Sequence, residues 1–275
     1  MILKYNGKIM VATFHNHTTF CDGKNTPREM VEYAIENGAR AIGFSSHGYT
    51  PYDLRYCMKD TDSYIAEINR LKIEFKDKIE VYLGIEEDAF APVDRSKFDY
   101  TIGSMHYIEK GGVYYPIDSS IDYNNKMRLA FDYDAIKIAT QYYEKFITYI
   151  KTRKPDIIGH FDLITKFDEK AESLFLDNQE YHLLAQKYLD SLLPVDSIFE
   201  INVGAIVRGY RTKPYPYTNL LHKINKQGGK IILSIDAHSK ELLTYDFTDT
   251  IKYLKDIGFS SVYTIKDGKF VKENI

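Results

Sequence analysis

The chain of 275 residues has no tryptophan, two cysteines, eight prolines and sixteen glycines. Each shortage removes a class of protein. Two cysteines cannot form a disulfide framework, which points to a reducing cytoplasm. Proline and glycine are too scarce and too evenly spread for a low-complexity tract or a flexible linker. No stretch approaches the roughly 18 consecutive apolar residues of a membrane-spanning helix. Charge of one sign is also missing: 36 basic residues stand against 39 acidic ones, a net charge of −3 before histidine. That balance gives no footprint for nucleic acid or for an anionic membrane surface. Residues 1–17 carry lysines inside their apolar stretch and no small-residue cleavage site, so they read as part of the domain and not as a signal peptide. What is present is ordinary for a globular protein, with 44% hydrophobic and 27% charged residues. Such a composition excludes disorder, and the length is ample for a buried core. Tyrosine is abundant at 24, and histidine is modest at eight.

Short apolar, β-branched runs alternate with longer stretches of helical spacing. The runs cover residues 9–14, 41–46, 79–85, 100–105, 156–159, 197–202 and 230–235, with an eighth at 261–265. They read as buried strands. Between them, Thr26-Pro27-Arg28-Glu29 is a capping box with proline at the first helical position, and Gly38 stops that helix. Further helices are expected over 64–75, 133–151, 180–193, 218–226 and 248–257, the last two ending at Gly228 and Gly258. Strand–helix alternation repeated this often implies a parallel sheet closed into a (β/α) barrel, as one domain over residues 1–275. The rival, an open doubly wound sheet, lacks its glycine-rich phosphate loop after the first strand. Residues 107–132, rich in glycine, tyrosine and aspartate without periodicity, read as a functional lid or as misassigned structure.

The polar residues cluster where the strands end. The first strand runs into His15-Asn16-His17, with Asp22-Gly23 beyond. The others end at Ser46-His47, Glu86, Met105-His106, His160-Phe161-Asp162, Glu200-Ile201-Asn202 and Asp236-Ala237-His238. Six of the eight histidines fall at these ends, where about one would fall by chance if position on the barrel meant nothing. A lone histidine at a strand end is ordinarily a hydrogen-bonded structural residue. Six of them gathered on one face with carboxylates are metal ligands by type, and the set suits zinc, manganese or iron. His15 and His17, two apart on a strand, point the same way and can share an ion; Asp236 and His238 have the same spacing.

These motifs, His15-Asn16-His17-Thr18 with Asp22-Gly23, Ser46-His47, residues 84–86, 103–106, 159–162 and 234–239, resemble the PHP (polymerase and histidinol phosphatase) superfamily over roughly residues 10 to 260. Within it, residues 103–108 (GSMHYI), 156–167 (DIIGHFDLITKF) and 200–216 resemble the monofunctional histidinol-phosphatases of histidine biosynthesis. The resemblance implies a distorted (β/α)7 TIM-like barrel with a cluster of two or three divalent ions at the C-terminal ends of its strands. It implies His15, His17, Glu86 and Asp236 on a first ion, Glu86 bridging to a second held by His106 and His160, and Asp22, His47 and His238 on a third. It also implies a phosphate-contacting arginine shortly after the sixth strand, either Arg208 or Arg211.

The chemistry this supports is hydrolysis of a small phosphate monoester, expected to be L-histidinol phosphate, by a metal-bridging hydroxide. Ser45 and Ser46 are poor nucleophile candidates beside such a ligand set. A general acid could be Asp162 or a bound water. Tyr114, Tyr115, Asp118 and Asp122 could meet the cationic leaving group. Glu200 is expected to pair with a nearby arginine. His182 and His222 read as ordinary helix residues, Cys21 and Cys57 have no assigned role, and Tyr142, Tyr143 and Tyr149 read as helix packing. Two other readings remain open: a phosphoesterase acting on phosphotyrosine, a nucleotide or a DNA end, and a non-catalytic metal-binding protein.

Overall fold

In the computed structural model, which describes residues 2–5, 8–192 and 195–275, the apolar runs become strands of one curled sheet. An antiparallel hairpin, β1 (Ile2–Tyr5) and β2 (Lys8–Val11), opens the chain. It is followed by α1 (Pro27–Glu36), β3 (Ala41–Phe44), α2 (Thr61–Glu74), β4 (Glu80–Asp88) and β5 (Tyr100–Ser104). A second hairpin, β6 (Tyr107–Lys110) and β7 (Val113–Pro116), leads to α3 (Ile121–Ala130) and α4 (Ala135–Arg153). The chain continues through β8 (Ile157–Ile158), α5 (Gln179–Asp190), β9 (Ile198–Asn202) and the single turn α6 (Gly204–Val207). It ends with α7 (Thr218–Lys226), β10 (Ile231–Ser234), α8 (Thr248–Ile257), β11 (Ser261–Lys266) and β12 (Lys269–Asn274).

The main sheet has the order β12-β11-β10-β9-β8-β5-β4-β3. Its pairs are parallel except β11 with β12. Residues 13–17 bridge its two sides. The Gly43 and Ser45 N–H groups donate to Thr13 O and Asn16 O, each at 3.0 Å. On the other side His17 N donates to Ala237 O at 2.8 Å, and Ala237 N donates to His15 O at 3.1 Å. The segment that carries His15 and His17 is therefore bonded to the ends of two strands far apart in the sheet order.

Alternation along the strands sorts the interior. Tyr82, Tyr100, Ile102, Ile157, Ile198 and Ile232 share an inner apolar cluster with Phe14, while Val81, Leu83, Ile158, Phe199, Ile201 and Leu233 pack outward under the helices. Two to four residues further along the inner face the side chains turn polar, beginning with Glu86 (then Asp88) on β4, His106 beyond β5, Glu200 (then Asn202) on β9, and Asp236 beyond β10. The period of two thus builds an apolar floor with a polar layer above it. The Tyr100 hydroxyl spans this floor, contacting Phe14 O and, at 3.1 Å, Phe44 O. Gly84 is required beneath its ring, because a Cβ there would lie 2.3 Å from Tyr100 Cζ.

Several expectations need correction. Residues 107–132 are not a structureless lid. They form the β6–β7 hairpin and α3, and the turn at Gly111 (φ +61°) and Gly112 (φ +81°) is the glycine pair that such a tight turn demands. The Ser120 hydroxyl then caps α3 by accepting from Tyr123 N. The first apolar run does not stay a ladder strand to residue 14, since β2 ends at Val11. Strand β4 runs three residues past Ile85, because Glu86 and Asp88 pair in register with Ile102 and Ser104 of β5. The capping box at Thr26 forms in both directions. Helix α5 ends at Asp190, and Leu193, the expected end of that helix, lies outside the described residues. Tyr142, Tyr143 and Tyr149 are buried in helix packing on α4. Among the described residues no helix is long and apolar enough to cross a membrane.

Candidate metal centre

Glu86 stands at the middle of the polar layer, fully buried at the end of β4. Its Oε2 lies 3.2 Å from His15 Nε2, 3.6 Å from His17 Nε2 and 2.9 Å from His47 Nδ1. Its Oε1 lies 3.3 Å from His106 Nε2 and 3.1 Å from His160 Nε2. Asp236 Oδ1 is 3.7 Å from His15 Nε2 and 3.1 Å from His17 Nε2. Asp22 meets the remaining imidazole and also His47, with its oxygens 3.3 Å from His238 Nε2 and 3.8 Å from His47 Nε2. The structure brings all nine expected ligand residues together, in overlapping groups of three and four donors within reach of one another.

The arrangement fits divalent cations. His15 Nε2, His17 Nε2 and Glu86 Oε2 are buried with no hydrogen-bond partner, and buried polar atoms are seldom left so without a reason. Imidazole nitrogens and carboxylate oxygens converging from several strands are the donor set of zinc or a similar ion. The electrostatics agree. Burial, reinforced by the His238 and His47 imidazoles, pushes His17 down to about 3, so it is neutral and has a lone pair to give. Burial works against ionisation of Glu86, but His15, His47 and His106 hold its carboxyl well below the usual range. Asp236 behaves likewise, held down by His15 and Arg208. At His15 burial is outweighed by Glu200, Glu86 and Asp236, which raise it well above its ordinary value. A proton and a divalent ion compete for the same nitrogen, so the carboxylate surplus that draws one draws the other.

A second ring of contacts orients these donors. Glu200 Oε1 is 2.5 Å from His15 Nδ1, and its Oε2 accepts from His160 N at 2.7 Å and from Asn202 Nδ2 at 3.1 Å. Glu200 therefore does not pair with an arginine as expected. It faces inward from β9 beside His15, while both arginines lie past the strand's end. Asp88 Oδ2 accepts from His106 N at 2.9 Å and meets His106 Nδ1 at 3.2 Å. Each carboxylate points the opposite imidazole nitrogen, Nε2, into the cluster. The sequence reading missed Asp88; its spacing of two from Glu86 was the available signal. Cys21 Sγ lies 3.5 Å from His17 Nδ1, and burial pushes its thiol up to about 12.

Above the cluster opens a cavity of about 530 Å³, lined by seven of the nine donor residues, all but His15 and His17, together with Tyr56, Tyr107, Asp118, Lys166, Arg208 and Leu242. Arg208 reaches it with Nη2 at 3.0 Å from Asp236 Oδ2 and Nη1 at 3.2 Å from Asp236 O. Arg211 does not line it. That side chain is buried, donating to Thr165 Oγ1 at 2.8 Å and lying 3.8 Å from Asp162 Oδ2. Asp162 is likewise off the wall, its Oδ2 accepting from Tyr217 N at 3.0 Å. Of the four residues expected to meet a leaving group, Asp118 alone lines the cavity; Tyr114, Tyr115 and Asp122 do not, nor do Ser45 and Ser46. His182 sits at the edge of the core, bonded to Leu176 O and Asn219.

A family model for the PHP domain matches residues 13–203, more than two thirds of the chain. The chain belongs to the PHP domain family. The matched stretch contains His15, His17, Asp22, His47, Glu86, His106 and His160, and the remaining two candidates, Asp236 and His238, follow just beyond β10. This PHP domain is 26% identical over 272 residues to the histidinol-phosphatase of Lactococcus lactis subsp. lactis (strain IL1403), with 94% of this chain and 95% of that protein covered. Among solved structures, a Listeria monocytogenes protein superposes with a TM-score of 0.72 at 18% identity, covering 87% of this chain and 99% of that one. The Lactococcus lactis histidinol phosphate phosphatase, solved in complex with zinc, L-histidinol and phosphate, superposes at 0.65 with 21% identity, covering 94% and 98%. At these identities the structures speak for the fold, an α/β architecture around a curled, mostly parallel sheet.

Proposed function

We propose that this PHP domain is a metal-dependent phosphomonoesterase whose substrate is L-histidinol phosphate, cleaved to L-histidinol and phosphate. The observation that carries the reading is Glu86, whose two oxygens face separate groups of imidazoles, His15, His17 and His47 on one side and His106 and His160 on the other. A carboxylate so placed would suit sharing between neighbouring ions. In this reading His15, His17, Glu86 and Asp236 hold one ion, Glu86, His106 and His160 a second, and Asp22, His47 and His238 a third, with zinc, manganese or iron in the sites. The fold is a distorted (β/α)7 barrel over a single domain, residues 1–275, a count supported by residues 13–17 acting as the seventh stave between β3 and the end of β10. Two free cysteines fit a reducing cytoplasm.

Bound in these sites, divalent ions supply a nucleophilic hydroxide near neutral pH and neutralise phosphoryl charge. The chain's own residues do the rest. Asp236 fixes the Arg208 guanidinium at the cavity wall, where its positive charge would meet a phosphoryl group held in the cavity. Arg211, tied to Thr165 and Asp162, supports that wall from behind. The substrate is favoured by the histidinol-phosphatase relatives, which align with nearly the whole chain. The cavity admits a small molecule, and a net charge of −3 gives no help to a DNA substrate.

The test is a phosphate-release panel. Metal-loaded protein is expected to hydrolyse histidinol phosphate with a kcat/KM well above those for phosphotyrosine, a nucleotide or p-nitrophenyl phosphate. Release from one of the other monoesters with none from histidinol phosphate overturns the substrate; no release from any of them overturns the enzyme.

A further inference from the structure

Tyr114 stands outside the cavity, and so does Tyr52. Their two rings lie flat against each other, with centroids 4.0 Å apart and planes within 9°. Tyr107 and Phe90 close this cluster edge-on, Tyr107 at 5.0 Å from Tyr52 and Phe90 at 5.3 Å from Tyr114. Tyr52 is half-buried, whereas Tyr114, on β7, keeps 36% of its surface exposed. Stacking of this kind fixes the orientation of the covered ring, and with it the direction of its hydroxyl.

That hydroxyl donates to Asp88 Oδ1 at 2.7 Å, and Phe90 N donates to the same oxygen at 2.9 Å. The other oxygen, Oδ2, faces His106 alone, with the main-chain N at 2.9 Å and Nδ1 at 3.2 Å. An ionised carboxylate only accepts, so Nδ1 carries the proton and Nε2 keeps its lone pair, facing Glu86 Oε1 at 3.3 Å. With donors on both oxygens, the buried Asp88 carboxylate cannot turn without losing some of them. The hairpin is tied to the same histidine, because Ile117 N donates to His106 O at 2.8 Å. Seating Tyr114 on Tyr52 therefore seats the strand that begins one residue after His106.

We propose that Tyr52 is a positioning residue for the ion that His106 would hold: its hydroxyl fixes Asp88, Asp88 aims His106, and Tyr114 clamps Tyr52. The proposal rests on the metal-centre reading and gives that centre a support outside the cavity. Phenylalanine at position 52 keeps the stack and removes the donor, leaving Asp88 Oδ1 with Phe90 N. The carboxylate is then free to swing, and His106 loses the contact that holds its proton and its ring plane. His15 is oriented separately, by Glu200, so the effect is confined to one part of the cluster.

The experiment measures zinc binding to chelator-stripped protein by competition with a chromophoric chelator, with circular dichroism checking the fold. His106→Ala marks which equivalent of zinc belongs to that histidine. Tyr52→Phe is expected to weaken the same equivalent roughly tenfold and the others less than about twofold, as for a partner that orients a metal-bound histidine. Tyr114→Ala should act in the same sense, and Tyr114→Phe, which restores the ring, should bring the affinity back. In a His106→Ala background, Tyr52→Phe should change the remaining equivalents by less than about twofold, whereas a general packing role would persist there. Wild-type affinity at every equivalent in Tyr52→Phe, or a uniform loss at all of them with a lowered Tm, overturns the positioning role and leaves the metal centre standing. A wild type that binds no zinc overturns the metal centre and the proposal with it. Should Tyr52→Phe not fold, Tyr114→Ala against Tyr114→Phe decides by the same criteria.

Discussion

Replacing Glu200 with glutamine changes one oxygen to an amide nitrogen, and the structure gives that change no harmless orientation. Glu200 uses both oxygens: Oε1 faces His15 Nδ1 at 2.5 Å and Oε2 accepts from His160 N at 2.7 Å. If the amide NH2 faces His15, Nδ1 must become the acceptor and the proton moves to Nε2, the atom that faces Glu86 and Asp236. His15 then has no lone pair to offer an ion. If the amide turns over, His15 is kept but NH2 meets the His160 N–H, a buried donor against a donor costing about 1–3 kcal/mol. Either way the cluster is weakened. Partners of this kind ordinarily affect metal affinity by about 10–100-fold, which is roughly 1.4–2.7 kcal/mol. Competition with a chromophoric zinc chelator reads this directly, and circular dichroism checks that the fold is retained. Zinc affinity in Glu200→Gln within twofold of wild type, at equal stoichiometry, would refute the role assigned to Glu200.

Three other outcomes are expected. Arg208→Ala should lower kcat/KM on the order of a hundredfold, the scale of one lost contact to transition-state charge; a wild-type rate removes Arg208 from phosphate binding. Arg211→Ala should act on stability, because it leaves Asp162 buried without its cation, a loss of about 3–5 kcal/mol in denaturant unfolding. A stable Arg211→Ala variant with a raised KM would exchange the two arginines' roles. Gly84→Ala drives a Cβ to 2.3 Å from the Tyr100 ring and should destabilise by about 1–3 kcal/mol; an unchanged urea midpoint would show that the inner floor yields more easily than its packing implies.

Much of the site was legible because strand ends are visible in a sequence. A β-branched run that stops at a histidine or carboxylate marks the place, and the spacing of His15 from His17 and of Asp236 from His238 marks the direction. What was hidden depends on which strands become neighbours. Glu200 reads as a carboxylate near two arginines, and only the curl of the sheet sets it against a histidine 185 residues away. Asp88 is hidden because the apolar run ends at Ile85 in the sequence, whereas pairing with β5 carries the strand through three acidic residues. Residues 107–132 lacked a helical or alternating period, yet Gly111-Gly112 between two aromatic stretches held enough information for a hairpin. The choice between Arg208 and Arg211 turned on a single loop, where one side chain reaches the cavity and the other folds back under it.

The most direct test follows phosphate release from histidinol phosphate as zinc is titrated into chelator-stripped protein. The account predicts no release without metal and a plateau reached at two to three equivalents per chain. Full activity in the stripped protein, or no release at any zinc level from folded protein, would contradict it.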